Sequence, residues 1–164
     1  MTRTIAPSAR FALCSTLLAA VAVSPVLAKT ARPAIQPQVI ALPLKQIIPP
    51  AQRLCTARTA SGLGYRALRP TSGPLPVGDA TVTVHYIGYL ALTGEVFDQG
   101  MDASFPMKGV IPGFSEGLAL MNEGSIYRFC IPARLGYGAK GTGPIPANAD
   151  LVFQVQLVAA KAAS

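Results

Sequence analysis

The stretch from residue 110 to residue 121 constrains the fold of this chain more than any other part of the sequence. It begins as a short extended apolar run, and Pro112 suits the first turn of a helix, where its missing N–H costs nothing. Phe114, Leu118 and Met121 then follow at the spacing that places side chains on one helix face. A helix this short is marginal on its own. The stretch therefore predicts one short helix whose apolar face packs against a sheet.

Alternation of apolar and polar residues predicts strands on both sides of this helix. The clearest strand is 81–90, which is rich in β-branched and aromatic residues. The other predicted strands are 61–69, 95–98, 125–132 and 150–158, with a further short extended piece at 105–107. About five strands and one helix in a single domain favour the α+β class with an antiparallel sheet.

The N-terminus has the organisation of a secretory signal peptide. Arg3 and Arg10 precede an apolar run at 11–23 that is too short for a comfortable membrane span, and a small residue, Ala28, follows. We therefore predict a signal peptide over residues 1–28, cleavage after Ala28, and export to the periplasm of a Gram-negative cell. The alternative is that the segment remains as an uncleaved anchor.

Residues 29–55 differ in composition from the rest of the chain. They contain five prolines and four basic residues but no acidic residue, and their apolar residues follow no helical or strand period. This predicts a Pro-rich basic linker, extended and largely disordered, before a domain at 56–160. Because that domain is close to neutral, no clustered basic face for nucleic acid is expected. A weak contact between the linker and an anionic membrane surface stays open.

The side chains of the usual catalytic and metal-binding constellations are missing from the sequence. The single histidine, His85, stands inside a predicted strand, where we expect it on the outer face of the sheet. No nucleophile motif or phosphate-binding loop occurs, and the cysteines lack the spacing of metal ligands. The sequence therefore predicts no metal site and no cofactor.

Aromatic side chains instead recur at the ends of the predicted elements. Each one alone is explained by core packing. Together with aliphatic residues and one acid, they could line an apolar cleft for a small ligand. The residues of this candidate cleft are Tyr86, Phe97, Asp98, Val110, Ile111, Phe114, Tyr137, Ile145 and Phe153.

Five sequence blocks follow one another in a fixed order along the chain. They are VHYIG at 84–88, GEVFD at 94–98, VIPGFSEG at 110–117, LGYG at 135–138, and IPAN with LVF at 145–153. Together they resemble the FKBP family of peptidyl-prolyl cis-trans isomerases, over roughly residues 56–160. The resemblance implies an FKBP-like fold: a twisted antiparallel β-sheet of about five strands wrapped around one short α-helix.

The resemblance also implies an activity and a site. The expected reaction is rotation about X–Pro bonds of proline-containing polypeptides, by binding of the twisted amide in an apolar aromatic pocket, which assists the folding of exported proteins. By resemblance, Tyr86, Phe97, Asp98, Tyr137 and Phe153 are catalytic, and Val110, Ile111, Phe114 and Ile145 bind substrate. The alternative is a proline-segment binding module or chaperone with little turnover.

Two positions in the pocket carry further expectations from the same resemblance. The Ile111 N–H and the Tyr137 hydroxyl are expected to donate hydrogen bonds to substrate carbonyls. Phe114 stands where the family often has Trp, so macrolide inhibitors are expected to bind with reduced affinity. The expected oligomeric state is a monomer.

Cys55 and Cys130 are the cysteines that remain after removal of the signal peptide. In the family's sheet order, the first strand lies beside the strand that contains Cys130, and alternation turns Cys130 away from the core. Exported proteins meet oxidising conditions. We therefore predict a Cys55–Cys130 disulfide, with two independent thiols as the alternative.

Overall fold

The computed structural model describes residues 46–162 of the 164-residue chain, and these form one sheet with one α-helix. The strands are β1 (Ala57–Arg58), β2 (Gly64–Arg69), β3 (Thr81–Leu90), β4 (Val96–Pro106), β5 (Ile126–Ile131) and β6 (Leu151–Lys161), and the helix is α1 (Pro112–Ala119). The strand order across the sheet is β1-β2-β5-β6-β3-β4, and all neighbouring strands are antiparallel. The predicted α+β class is confirmed.

The hydrophobic core lies between α1 and the face of the sheet that it covers, which we call the inner face. The central strands β3 and β6 are rich in β-branched residues, which suit a pleated and buried surface. Their inner-face side chains Val82, Val84, Val155 and Leu157 are fully buried. The opposite, outer face carries His85, as the alternation predicted, and its side chain is 25% exposed.

The helix buries the face that its sequence spacing predicted. Pro112 occupies the first turn, and Phe114 and Leu118 are buried against the sheet. A Cβ atom added at Gly117 would lie 2.7 Å from the ring of Phe129, so this glycine lets α1 pack closely on β5. Met121 is fully buried, although it follows the end of the helix. No helix within residues 46–162 is long and apolar enough to cross a membrane.

Two features of the sheet differ from the sequence prediction. A sixth strand, the two-residue β1, pairs with the start of β2. The segments predicted separately at 95–98 and 105–107 belong to one continuous strand, β4. The alternation of apolar and polar residues is lost within β4 because its register against β3 shifts at two places, and Asp102 there has a φ of 51°. Hydrogen bonding to β3 continues across these shifts and keeps the strand together.

Residues 46–55, which we call the strap, cover part of the outer face. Ile47 forms a β-bridge with Glu95 at the start of β4, and a short 3₁₀ helix follows at Pro50–Arg53. Beneath the strap lie Tyr89 and Val152, which are buried although they are not part of the core on the inner face. For this part of the predicted linker, the structure differs from the prediction of a largely disordered segment. Residues 29–45 and the predicted signal peptide lie outside the described residues.

The strap is joined covalently to the sheet at its C-terminal end. A disulfide links Cys55 to Cys130 of β5, with an S–S distance of 2.05 Å and a Cα–Cα distance of 6.2 Å. This is the pairing expected from the sequence. The bond lies on the outer face, because Cys130 is flanked along β5 by the buried, inner-face residues Phe129 and Ile131.

Candidate active site

A cavity of 430 Å³ opens on the inner face, where the start of α1 meets β3, β4 and β6. Six of its lining residues are aromatic residues of the strands and the helix, or the carboxylate beside one of them. The other four come from the segments that precede α1 and follow β5. The lining residues are Tyr86, Phe97, Asp98, Phe105, Gly109, Val110, Ile111, Phe114, Tyr137 and Phe153. Such a cavity, with mostly apolar walls and a few polar groups, is the ordinary form of a small-ligand site.

The base of the cavity is a set of aromatic rings in edge-to-face contact. The ring centroid of Phe153 lies 5.0 Å from that of Phe114 and 5.5 Å from that of Phe97, with interplanar angles of 68° and 81°. Tyr86 meets Phe114 and Phe105 in the same way, at 6.3 Å and 5.8 Å. Edge-to-face pairs are favoured by the charge distribution of the rings. These contacts give the apolar walls a defined shape.

A β-bulge directs two consecutive residues of β4 into the cavity. Val96 pairs with Tyr89 of β3 and Asp98 pairs with Gly88, so Phe97 between them is an additional residue without an opposite partner. In a regular strand, neighbouring side chains point to opposite faces. The bulge cancels that alternation, so Phe97 and Asp98 both line the cavity. A Cβ at Gly88 would lie 2.6 Å from the Phe153 ring and 2.8 Å from the Phe97 ring.

The polar corner of the cavity is formed by Tyr86 and Asp98. The Tyr86 hydroxyl donates a hydrogen bond to Oδ2 of Asp98, at 2.7 Å. Burial, and after it this hydrogen bond and the negative charge of Asp98, raise the pKa of Tyr86 to about 12. The hydroxyl therefore stays protonated over the physiological range and remains a donor. The carboxylate is thus held in place beside an otherwise apolar cavity.

Two hydrogen-bond donors that belong to lining residues have no partner among residues 46–162. The N–H of Ile111 donates to no described group, while the carbonyl of the same residue accepts from Phe114 and Ser115 in the first turn of α1. The Tyr137 hydroxyl likewise donates to no described group, and the residue is 39% exposed. Both donors are available to the carbonyls of a bound peptide. Within the described residues, no group of three or more potential metal ligands occurs.

Eight of the nine residues proposed from the sequence lie together in this cavity, and one does not. Ile145 is 5% exposed and packs in the core, where its backbone pairs with Thr142 to close a turn. Sequence reasoning missed Phe105 and Gly109. Phe105 was assigned to an isolated extended piece. Only the continuity of β4 brings it opposite Val82 and beside the Tyr86 ring.

The family profile described as FKBP-type peptidyl-prolyl cis-trans isomerase matches residues 73–158 of this chain. Among curated proteins, the chain is 46% identical over 105 residues to the FKBP-type peptidyl-prolyl cis-trans isomerase FkpA of Aeromonas hydrophila, covering 62% of this chain and 39% of that protein. It is 44% identical over 105 residues to the FKBP-type 22 kDa peptidyl-prolyl cis-trans isomerase of Escherichia coli K12, covering 61% and 50%. The match therefore spans half or less of the length of these relatives.

A solved structure has the same fold. The crystal structure of FkpA from Escherichia coli superposes with a TM-score of 0.63 at 38% sequence identity, and the match covers 66% of this chain and 52% of that one. The profile match contains α1, the strands β3 to β5, most of β6 and all ten residues that line the cavity. On this ground the chain belongs to the FKBP-type peptidyl-prolyl cis-trans isomerase family.

Proposed function

We propose that this chain catalyses cis-trans isomerisation of X–Pro bonds in polypeptides that it binds in the aromatic cavity. The observation that carries the proposal is the combination of a ring-lined cavity with two unpartnered donors, the Ile111 N–H and the Tyr137 hydroxyl. A proline ring fits apolar aromatic walls, while the carbonyls next to it need hydrogen-bond donors. Membership of the isomerase family supports the same reaction.

The reaction requires no nucleophile or proton transfer, because only rotation about a C–N bond takes place. The barrier of about 20 kcal/mol comes from the loss of amide resonance. The planar amide has more charge separation than the twisted one, so a dry aromatic cavity raises the energy of the planar form relative to the twisted form. Each 1.4 kcal/mol or so of preferential binding to the twisted amide accelerates the rotation about tenfold.

The lining residues divide the work according to their chemistry. Phe97, Phe114 and Phe153 hold the proline ring and exclude water. The Ile111 N–H donates to a substrate carbonyl on one side, and the Tyr137 hydroxyl donates to another at the cavity mouth. Asp98, whose carboxylate accepts a hydrogen bond from the Tyr86 hydroxyl at 2.7 Å, supplies a fixed negative charge at the polar corner of the cavity. Only the hydrogen bonds that are stronger to the twisted amide than to the planar amide contribute to the rate.

We place this activity outside the cytoplasm, in the folding of exported polypeptides. The support is the signal-like organisation of residues 1–28, and we propose that the mature chain begins after Ala28. Residues 56–160 are the proposed isomerase domain. Isomerisation of X–Pro bonds takes tens of seconds without a catalyst and can limit folding, so an exported isomerase would serve proteins that fold after translocation.

The test is a protease-coupled assay on chromogenic X–Pro tetrapeptides, with wild-type protein and two site variants. Tyr137→Phe removes one donor, and Asp98→Val removes the acceptor of the Tyr86 hydroxyl. Each should lower kcat/KM about five- to tenfold, because each removes hydrogen bonding worth about 1 kcal/mol. Both variants should keep the thermal unfolding midpoint within a few degrees. Tyr65→Phe, the same chemical change on β2 outside the cavity lining, is the matched control and should leave kcat/KM unchanged.

Other outcomes of this assay have definite meanings. A wild-type protein that binds the peptide with measurable affinity but does not speed its isomerisation would be a proline-binding module. Wild-type rates in both Tyr137→Phe and Asp98→Val would show that catalysis occurs elsewhere on the molecule. Activity should also appear as faster refolding of a protein whose slow phase is proline isomerisation.

A further inference from the structure

The position of two cavity residues depends on a weakly supported part of the sheet. Phe97 is the additional residue of a β-bulge, so the ladder with β3 holds Val96 and Asp98 on either side but not Phe97 itself. β4 is also the last strand at its side of the sheet, so β3 is its only strand neighbour among the described residues. A bulge on an edge strand redirects side chains and leaves the additional residue without a partner in the ladder. Contacts from outside the ladder can therefore fix the direction of the start of β4.

The strap makes backbone hydrogen bonds to the residues directly before the bulge. The Val96 N–H donates to the Gln46 carbonyl at 3.1 Å, and the Ile48 N–H donates to the Gly94 carbonyl at 2.8 Å. Val96 is therefore held by β3 on one side and by the strap on the other, immediately before Phe97. The strap acts here as a short additional strand along the outer edge of β4.

Arg53 closes the strap onto the turn between β3 and β4. Its Nε donates to the carbonyl of Ile48 at 2.8 Å, and its Nη1 donates to the carbonyls of Leu92 and Ala91 at 2.7 Å and 3.3 Å. One guanidinium thus joins the strap residue that pairs with Gly94 to the turn itself. A planar fork of donors is suited to several carbonyls at once, whereas a lysine ammonium is not.

We propose that Arg53 is a positioning residue for the isomerase site, acting through the strap on Phe97 and Asp98. By holding Ile48 against the β3–β4 turn, it fixes the start of β4 and so the direction in which the bulge presents both side chains to the cavity. Arg53 lines no part of the cavity and touches no substrate in this scheme. The strap also precedes residue 73, where the match to the family profile begins. The proposal rests on the isomerase function proposed above.

The expected effect is larger on turnover than on substrate binding, because Phe114 and Phe153 still hold the proline ring. The opposite wall of the cavity, with Val110, Ile111 and Tyr137, shares no hydrogen bond with the strap among residues 46–162 and should bind the substrate as before. Misplacement of Phe97 and Asp98 by a fraction of an ångström to 1 Å should lower kcat, since rates are sensitive to orientation on this scale. We expect Arg53→Ala to lower kcat about tenfold and to change KM less than twofold.

The experiment compares Arg53→Ala, Arg53→Lys and Arg58→Ala with the wild-type full chain. Arg58 is a matched control, because it is an exposed arginine that donates to one carbonyl, that of Gly62, away from the cavity. Kinetics on X–Pro tetrapeptides are measured at a temperature where circular dichroism finds each variant folded. Arg53→Lys should lie between Arg53→Ala and wild type, and Arg58→Ala should match wild type. In ¹H–¹⁵N spectra, Arg53→Ala should shift the amides of residues 96–98 and leave that of Tyr137 in place.

The outcomes separate this proposal from the isomerase function. The positioning role is overturned if the folded Arg53→Ala protein has a kcat within twofold of wild type. It is also overturned if the fractional loss of kcat equals the fraction of Arg53→Ala protein that is unfolded. If wild type itself does not isomerise the peptides, the isomerase proposal fails, and the amide shifts then decide the positioning role alone. Shifts that extend from the strap and the β3–β4 turn to residues 96–98, with Tyr137 unchanged, support that role, and unchanged amides at residues 96–98 overturn it.

Discussion

The two faces of the sheet are covered in different ways. On the inner face, α1 and the aromatic rings bury apolar side chains, including Phe114, Phe129 and Leu118, at 5% exposure or less. On the outer face, the strap covers a single row of residues. It is held by hydrogen bonds to backbone carbonyls and by the Cys55–Cys130 disulfide. The inner face is therefore covered by a hydrophobic core, whereas the outer face is covered by the strap, which hydrogen bonds and one disulfide hold in place.

This difference predicts that the strap is less stably attached to the sheet than α1 is. Burial of apolar area is the dominant favourable term in folding, whereas an intramolecular hydrogen bond contributes only about 1 kcal/mol net. The outer face also contains a group that is costly to bury: Arg128 is 5% exposed, and its Nε has no hydrogen-bond partner within the described part of the chain. The strap should therefore depend on its covalent bond and on Arg53, while α1 should depend on its buried side chains.

The largest expected effect comes from emptying the inner face at the helix. Phe114→Ala should lower the free energy of unfolding by about 3–5 kcal/mol, since a buried ring is removed and its space is not refilled. It should also abolish most of the isomerase activity, because the ring is part of the cavity base. Denaturant unfolding measures the first effect and the peptide assay the second.

A matched control for this loss is Leu92→Ala, at a large apolar side chain that is 90% exposed. That change should alter stability by less than about 0.5 kcal/mol. An equal loss from both substitutions would contradict the view that stability on the inner face comes from burial of its apolar side chains.

The next effect concerns the covalent bond of the outer face. Replacement of Cys55 and Cys130 by Ser in one variant should cost about 2–4 kcal/mol of unfolding free energy, since a cross-link over 75 residues restricts the unfolded chain. Backbone amides of the strap should then exchange with solvent faster than those of β3. Thiol titration of the denatured, unreduced mature protein checks the bond directly, and two free thiols per chain would disprove it.

The inner face and most of the site could be predicted from sequence because both rest on periodic apolar patterns. Phe114 and Leu118 follow the helical spacing, and the strand that contains Tyr86 and Val84 alternates clearly. The family resemblance then identified eight cavity residues. The same reasoning placed Ile145 in the cavity, whereas its burial puts it in the core. From sequence blocks alone, a core residue beside a pocket and a residue that lines it look the same.

The strap could not be predicted, because its local sequence contains no pattern that indicates the contacts that hold it against the sheet. Its prolines and lack of apolar period are typical of a linker, while its contacts run from Arg53 to carbonyls 38 and 39 residues away. Side-chain bonds to backbone carbonyls leave no periodic signal. The bulge at Phe97 was hidden for a similar reason, since it depends on the register between two strands.

A smaller effect is expected at the buried arginine of the outer face. Arg128→Met keeps the packing of the side-chain stem and removes the guanidinium, whose Nη1 donates to the Leu54 carbonyl at 3.3 Å. Loss of the hydrogen bonds should lower stability, whereas removal of a buried charge that is incompletely hydrogen-bonded should raise it. Because these two contributions nearly cancel, the free energy of unfolding should change by about 1 kcal/mol or less. A loss above about 3 kcal/mol in denaturant unfolding would show that this guanidinium holds the strap down.

The smallest expected effect is a change in the pH dependence of stability, and it appears only at alkaline pH. It is tested at one tyrosine on each face of the sheet, Tyr86 and Tyr89. Burial and the hydrogen bond to Asp98 raise the pKa of Tyr86 to about 12, and burial under the strap raises the pKa of Tyr89, against the opposing charges of Arg128 and Arg53. An unfolded tyrosine loses its proton near pH 10. Between pH 10 and about 12, the unfolded chain therefore binds fewer protons than the folded chain at Tyr86, and stability falls as pH rises.

The stability linked to these hydroxyls is therefore complete below pH 10 and is lost progressively above it. Tyr86→Phe should make the fall of the denaturant midpoint between pH 10 and 12 shallower than in wild type. The midpoint at pH 7 should change little, because Asp98 is exposed and water can replace the lost hydrogen bond. Tyr89→Phe should also flatten the alkaline fall, but it should lower stability at pH 7, because its hydroxyl donates to the Gln52 carbonyl of the strap at 2.7 Å. An alkaline fall in Tyr86→Phe as steep as in wild type would mean that neither burial nor Asp98 raises the pKa of this hydroxyl in the folded protein.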